Sequence, residues 1–290
     1  MQNNKPYLKD IAPIETCSFG FSSSKFILSK LDRYYNRVND SPFSIKYVST
    51  GVERYSIDNR VYKVKSNQYL LVNQNDGFDI ELDSKEFTDG ICIYPPENLI
   101  NEVFEAKLRS SDELLNNDQS DSSRFNLTRM VSSLNSTSTG VYLNQYLPQI
   151  IHKHKQNVAI DFSEFYMSLA ECIVEDQLAI DGQLKNLKST KKQTKEELYR
   201  RISLSKDHIH DNYKESLNIA ELAELACLSK YHFLRSFKDL YAQTPYQYLL
   251  NIKLNKAKIL LEKGFSISTT GDLVGFSDPK NLRKALKKRA

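Results

Sequence analysis

Two short runs hold the side chains best suited to chemistry: "KYHFLRSFK" from Lys230 to Lys238, and "KNLRKALK" from Lys280 to Lys287. Lysine offers a point charge suited to phosphate, whereas arginine offers a planar fork that fits phosphate or the paired acceptors of guanine. In the first run Phe233 and Phe237 stand four apart and bury together on a helix, which leaves Lys230, Tyr231, Leu234, Arg235 and Lys238 on other faces. Just upstream, Asn218 precedes "IAELAELA" as an N-cap, with the Glu221 carboxylate three residues on and able to reach back. The apolar face of that helix is Leu222, Ala223, Leu225 and Ala226, and "CLS" forms the turn that follows. Two short helices joined by a tight turn, the second rich in donors, make the pattern of a helix-turn-helix.

Other chemistries lack their residues. A metal-dependent enzyme needs clustered histidines and carboxylates, yet no histidine precedes His152. His152 and His154, in "IIHKHKQ", read as surface residues. Cys17, Cys92, Cys172 and Cys227 lie far apart without a CxxC pair, which points away from zinc and disulfides and toward a reducing compartment. No P-loop, GxSxG or dinucleotide fingerprint occurs. No catalytic residue, metal or cofactor is therefore expected. His232 reads as a packed or capping residue, and His208 and His210 have no partner visible in the sequence.

The elements that must position the two basic runs repeat one another. Thr244-Pro245 with Gln247 opens a helix through a capping box with proline at its first position, and that helix runs to about Lys263. Leu250, Leu254, Ala257 and Leu261 form its stripe, and Gly264 stops it. Ile267–Val274 is then a second short helix, "GFS" a second turn, and Asp278 with Pro279 starts a second basic helix reaching Arg289. Ala226-Cys227-Leu228-Ser229 corresponds to Val274-Gly275-Phe276-Ser277, and Phe233 and Phe237 correspond, after one extra residue, to Leu282 and Leu286. Ahead of the pair, Leu198, Ile202, Ile209 and Tyr213 form the stripe of a preceding helix, with Arg200, Arg201 and Lys206 at polar positions.

The rest of the chain differs in kind. From Phe43 to Ile93, β-like bursts are separated by turn signals at Asp58-Asn59, Ser66-Asn67 and Asn75-Asp76-Gly77, and Pro95-Pro96 ends the last strand. An antiparallel sheet or small barrel follows from that pattern. Helical periodicity takes over at Leu99–Leu108 and again from Phe162 to Ile180, while the Ser, Asn and Asp-rich stretch from Ser110 to Ser123 reads as a mobile loop. "DGQLKNLKSTKKQT" is the best linker. The expected organisation is α+β in two domains: a sensor or oligomerisation domain over 1–182, a linker over 183–194, and an all-α domain over 195–290.

Charge follows the same division. Residues 1–184 carry 18 Lys and Arg against 25 Asp and Glu, whereas residues 185–290 carry 22 against 11, so a net +4 conceals a basic last third. That third has the electrostatic footprint of a polyanion binder. With 40% hydrophobic residues, 14 Phe and 17 Tyr, the chain can pack cores, and general disorder is excluded. Met1 to Asp10 lacks an apolar signal core, and no stretch approaches the roughly 20 apolar residues of a membrane span, so a cytoplasmic protein is expected.

The run "LNIAELAELACLSKYHFLRSFKDLYAQTPYQYLLNIKLNKAKILLEKGFSISTTGDLVGFSDPKNLRKALKK" resembles the double helix-turn-helix DNA-binding domain of AraC-type transcriptional regulators, most specifically in "LSKYHFLRSFK", "TPYQYLL", "AKILLEKG" and "VGFSDPK". The N-terminal part resembles, in rhythm only, the cupin-like sensor domain that many members carry. The resemblance implies sequence-specific binding of promoter DNA through the major groove. Tyr231, Leu234 and Arg235 would face bases from the first motif, and Lys280, Arg283 and Lys284 from the second. Lys230, Lys238, Lys287 and Lys288 would contact phosphates. It also implies control by a small effector or a partner at the N-terminal domain and, for an activator, RNA polymerase as partner; a homodimer would suit paired half-sites, and the helices after Pro96 permit one. Departures fall in the second motif: Gly271 stands where the family usually has alanine, Asn281-Leu282 and Leu286 replace aromatics, and the chain ends at Ala290 before the closing segment, so packing beneath the second basic helix is expected to be either weak or completed otherwise. Two other readings stay open, a nonspecific DNA-binding or helical protein-interaction module and a metal-dependent cupin enzyme.

Overall fold

The structure is a computed structural model and describes residues 15–18, 24–96, 98–108, 125, 127–156, 158, 161–188 and 191–288. The chain divides into two compact units, Met1–Ile180 and Asp181–Ala290.

Unit 1 is built on an antiparallel sheet of strands β1 (Glu15–Ser18), β2 (Lys25–Ser41), β3 (Ser44–Thr50), β4 (Val52–Ile57), β5 (Arg60–Lys65), β6 (Gln68–Val72), β7 (Asp76–Tyr94) and β8 (Val131–Ser133). The order β1-β2-β7-β3-β6-β8 places the long β7 at the centre, with β4 and β5 branching from its first half. Sequence reading started the sheet at Phe43, but β1 and the 17-residue β2 precede it. The turns behave as their residues require. Asp58 and Asn59 both take positive φ, 48° and 62°, and close Ile57 onto Arg60; Asn67 and Asn75 also lie in the left-handed region. β7 ends at Tyr94, where Pro95 cannot extend the ladder.

Alternation along the strands separates two cores. Phe26, Ile45, Tyr47, Tyr69, Ile91 and Ile93 pack against helices α1 (Leu99–Leu108), α2 (Ser138–Lys155) and α3 (Ser163–Asn186) through Val103, Leu143, Leu147, Phe165 and Leu169. The opposite face rolls inward around Val48, Tyr55, Val64, Leu70, Val72, Phe78 and Leu82. Lys46 points into that second face and is 1% exposed; its Nζ donates to Tyr94 Oη at 3.0 Å and lies 5.0 Å from the Phe78 ring centre. Tyr55 Oη donates to the buried Glu53 carboxylate at 2.6 Å, and burial pushes that carboxyl's pKa up. His152 is exposed and His154 half-buried in the last turn of α2. The segment from Ser110 to Ser123, expected as a loop, lies outside the described residues.

The 183–194 segment is helical at both ends, since α3 continues to Asn186 and α4 (Lys192–Asp211) begins at Lys192. Unit 2 continues with α5 (Ile219–Leu225), α6 (Lys230–Tyr241), α7 (Pro245–Glu262), α8 (Ile267–Val274) and α9 (Pro279–Lys287). The buried face of α4 is Tyr199, Ile202, Ser203, Ser205, Lys206, Asp207 and Ile209; Lys206, placed among the polar positions by sequence, is 7% exposed and its Nζ lies 5.9 Å from the Tyr241 ring centre. Leu225 and Leu250, assigned to apolar faces, are 41% and 36% exposed. Leu249, Ile252, Leu254 and Ala257 carry the buried face of α7 instead.

Candidate DNA-binding interface

Both helix-turn-helix pairs are built by local hydrogen bonds of the same kinds. Asn218 caps α5 by accepting from Ala220 N and Glu221 N, and Ser266 caps α8 by accepting from Thr269 N. Glu221 does not reach back; its Oε1 stands 3.7 Å from His208 Nε2. At the turns, Leu228 N donates to Ala223 O and Phe276 N to Gly271 O, both at 2.9 Å, with Cys227 and Gly275 in the left-handed region at φ 51° and 75°. These are matching Schellman ends. Ser229 then caps α6 and Asp278 caps α9, which has Pro279 in its first turn. The linking helix α7 opens on the full Thr244 and Gln247 capping box, and its 18 residues make a rod of about 27 Å.

The two basic helices are anchored by their apolar sides. Phe233 and Phe237 are both fully buried with ring centres 5.7 Å apart, and Phe237 also meets Tyr241 and Tyr248 edge-on. Beneath α9, Leu282 is 0% exposed and clusters with Leu254, Ala257 and Val274, with Leu286 partly buried beside them. The second basic helix is thus seated on a closed apolar cluster, although it lacks aromatics. A Cβ added at Gly271 would meet its nearest neighbour, Pro279 Cα, at 3.7 Å, an ordinary contact.

The opposite sides face outward. Lys230, Tyr231, Leu234, Arg235 and Lys238 on α6 are all exposed, Tyr231 at 75%, and Lys280, Arg283, Lys284 and Lys287 on α9 are exposed as well. Among the described residues none of these basic side chains makes an ion pair. Arg235 also borders an open groove of about 570 Å³ with His232 and with Glu197, Leu198 and Arg201 of α4. His232 is exposed, not packed; only its backbone N–H takes part in the cap, donating to Ser229 Oγ. The Arg200 and Arg201 guanidiniums hold the Glu197 carboxyl down to about 2.

The histidines of α4 find partners that sequence reading did not supply. His210 Nε2 lies 2.7 Å from Tyr248 Oη on α7, and burial, aided by Lys206 and Lys256, pulls its pKa down to about 4. Ser205 Oγ donates to Leu222 O at 2.7 Å, tying α5 to α4. Cys92, Cys172 and Cys227 are free thiols, no group of metal-ligating residues occurs among the described residues, and no described helix is long and apolar enough to cross a membrane.

Residues 222–290 match the family model described as a helix-turn-helix domain. The HTH-type transcriptional regulator YbfI of Bacillus subtilis strain 168, itself described as uncharacterized, is 37% identical over 76 residues, which are 26% of this chain and 28% of that protein. The probable transcriptional regulator LumQ of Photobacterium leiognathi is 30% identical over 83 residues, 28% of this chain and 34% of LumQ. The chain therefore spans about a third or less of the length of these relatives. Among solved structures, unsaturated fatty acid-bound ToxT from Vibrio cholerae aligns over 94% of this chain and 93% of its own, at 12% identity and a TM-score of 0.36. The cupin domain of an XRE family transcriptional regulator from Enterobacter cloacae aligns over 26% of this chain and 84% of its own, at 11% identity and a TM-score of 0.24. The architecture described above stands on its own strand pairing and helix packing. With the repeated geometry and the family match, the C-terminal unit carries a helix-turn-helix domain with two such motifs.

Proposed function

We propose that the chain is a sequence-specific DNA-binding transcriptional regulator, controlled through its N-terminal unit. The observation that carries this reading is the pair of matching Schellman turns, each delivering an exposed basic helix whose cations make no ion pair among the described residues. An α-helix fits the major groove, where each base pair shows a distinct edge, and two such helices about 34 Å apart read successive grooves on one face of the duplex. Tyr231, Leu234 and Arg235, with Lys280, Arg283 and Lys284, face bases; Lys230, Lys238 and Lys287 bind phosphates, which adds affinity and salt dependence. A cytoplasmic location goes with this reading.

A small effector bound in unit 1 shifts the state in which unit 2 meets DNA, to the extent of its differential affinity for the two states. Supporting a ligand there, a cavity of about 380 Å³ opens between β3 and α2, with Tyr47, Leu143, Leu147 and Ile151 as its apolar wall and His152 and Lys155 among its polar residues. A homodimer would bind paired sites, and RNA polymerase would be the partner if the protein activates.

Selection of random duplexes by the full chain at physiological salt tests the reading. An enriched site with two blocks about one helical turn apart is expected. Uniform binding with steep salt dependence and no enrichment would leave a nonspecific DNA binder instead.

A further inference from the structure

The two turns have the same backbone but different surroundings, and the difference is informative. In the first motif the left-handed position is Cys227, an exposed residue whose Cβ is tolerated at φ 51°. In the second it is Gly275, where an added Cβ would lie 2.8 Å from the carbonyl carbon of Lys214 and closer still to its oxygen. Lys214 belongs to the segment between α4 and α5, in the first half of unit 2. The turn of the second motif is therefore seated backbone to backbone on the first half, and only glycine allows that approach. Cys227 shows that the left-handed conformation alone does not demand glycine.

Lys253 of α7 completes the junction. Its Nζ donates to Gly275 O at 2.7 Å and stands 5.8 Å from the Phe276 ring centre. An ammonium there satisfies a carbonyl past the last turn of α8 and complements the negative end of that helix. One turn further along α7, Lys256 Nζ lies 4.6 Å from the ring centre of Tyr213, next to Lys214. The linking helix thus holds the second turn with one lysine and the first-half segment with another.

We propose that Lys253 is a positioning residue: with Gly275 seated on Lys214, it locks the second helix-turn-helix against the first and so sets the spacing of the two DNA blocks that the protein accepts. This rests on the DNA-binding reading for its consequence, though not for its geometry. Two rigidly held modules bind a duplex tightly only when its blocks match their span, whereas loosely tethered modules accept several spacings at lower affinity.

The test uses the full chain as wild type, Lys253→Met, Lys253→Arg and Gly275→Ala. Affinity is measured for the enriched duplex, for duplexes with its spacer changed by one or two base pairs, and for a duplex with only the first block. For wild type, a drop of about tenfold or more is expected when the spacing changes. Lys253→Met and Gly275→Ala should compress that ratio to about threefold or less, while first-block binding stays unchanged and Lys253→Arg keeps the wild-type ratio. An unaltered spacing preference in Lys253→Met overturns the proposal.

Amide hydrogen exchange of the free proteins separates this failure from failure of the DNA-binding reading. Faster exchange confined to α8 and α9 in Lys253→Met supports the lock even if no sequence preference exists. Unchanged exchange overturns it, and so does loss of protection through α4 to α7, which would make Lys253 a support of the whole unit.

Discussion

Arg235 and Lys238 lie on the same helix, and neither makes an ion pair among the described residues, yet their loss should be felt differently. Arginine can bind guanine through two parallel hydrogen bonds, so Arg235→Ala should cost about 1–3 kcal/mol at one base pair and relax preference there. On the proposed reading Lys238 contacts a phosphate, so Lys238→Ala should weaken binding to all sequences alike and lower the slope of log K against log salt by about 1. Affinities of both variants for the enriched site and its single-base variants, over a salt series, check this; an Arg235→Ala protein that keeps its base preference would count against base contact. A different property is set at His210. Its folded pKa, about 4, lies below the ordinary value near 6.5, because burial, aided by the charges of Lys206 and Lys256, disfavours the charged ring. Unfolding therefore takes up a proton between those values, and stability present above pH 6.5 is lost as pH falls toward 4, by at most about 1.4 kcal/mol per pH unit. The ring's proton resonance should titrate near 4, and His210→Gln should flatten the acid limb of a denaturation profile. Titration near 6.5 would contradict the burial.

At the scale of elements, legibility depended on whether the signal was local. The caps at Asn218, Thr244 and Asp278 act within a few residues of their own position, so the helices of unit 2 could be read almost to their ends. β2 could not, because register shifts at Leu31/Arg33 and at Val38/Ser41 reverse the inside-outside alternation partway along it. Leu225 and Leu250 fit a stripe by spacing, but spacing says nothing about where the neighbouring helix lies, and both are substantially exposed. His210 was opaque for a related reason: its partner Tyr248 is 38 residues away. Gly271, a glycine inside α8 that looks unfavourable in the sequence, gives a direct prediction. Its φ is ordinary and a Cβ finds only contacts of 3.7 Å or more. Gly271→Ala should stabilise the unit by about 0.5–1 kcal/mol, chiefly by reducing the freedom of the unfolded chain. Denaturant unfolding followed by a probe in unit 2 checks it, and destabilisation would show that the α8–α9 contact has no room for a methyl group.

The whole molecule joins two units of opposite charge. Met1–Ile180 carries 18 basic against 24 acidic residues, or −6, and Asp181–Ala290 carries 22 against 12, or +10, which together give the chain's +4. DNA is a polyanion whose field extends about a Debye length, roughly 10 Å at 0.1 M salt and 30 Å at 0.01 M. At low salt the acidic unit must then oppose the approach that the basic unit favours, and at high salt neither acts far beyond contact. Association of the full chain with its enriched duplex should accordingly be slower than that of a 181–290 fragment at low ionic strength, and the two rates should converge as salt rises. The full chain should also show the shallower dependence of association rate on salt, since its net field is weaker. Stopped-flow measurement over a salt series distinguishes this from a purely steric role of unit 1, in which the ratio of the two rates would stay constant across all salt concentrations. A constant ratio would mean that the charge division does not act on the approach to DNA, and that the N-terminal unit slows association by obstruction alone.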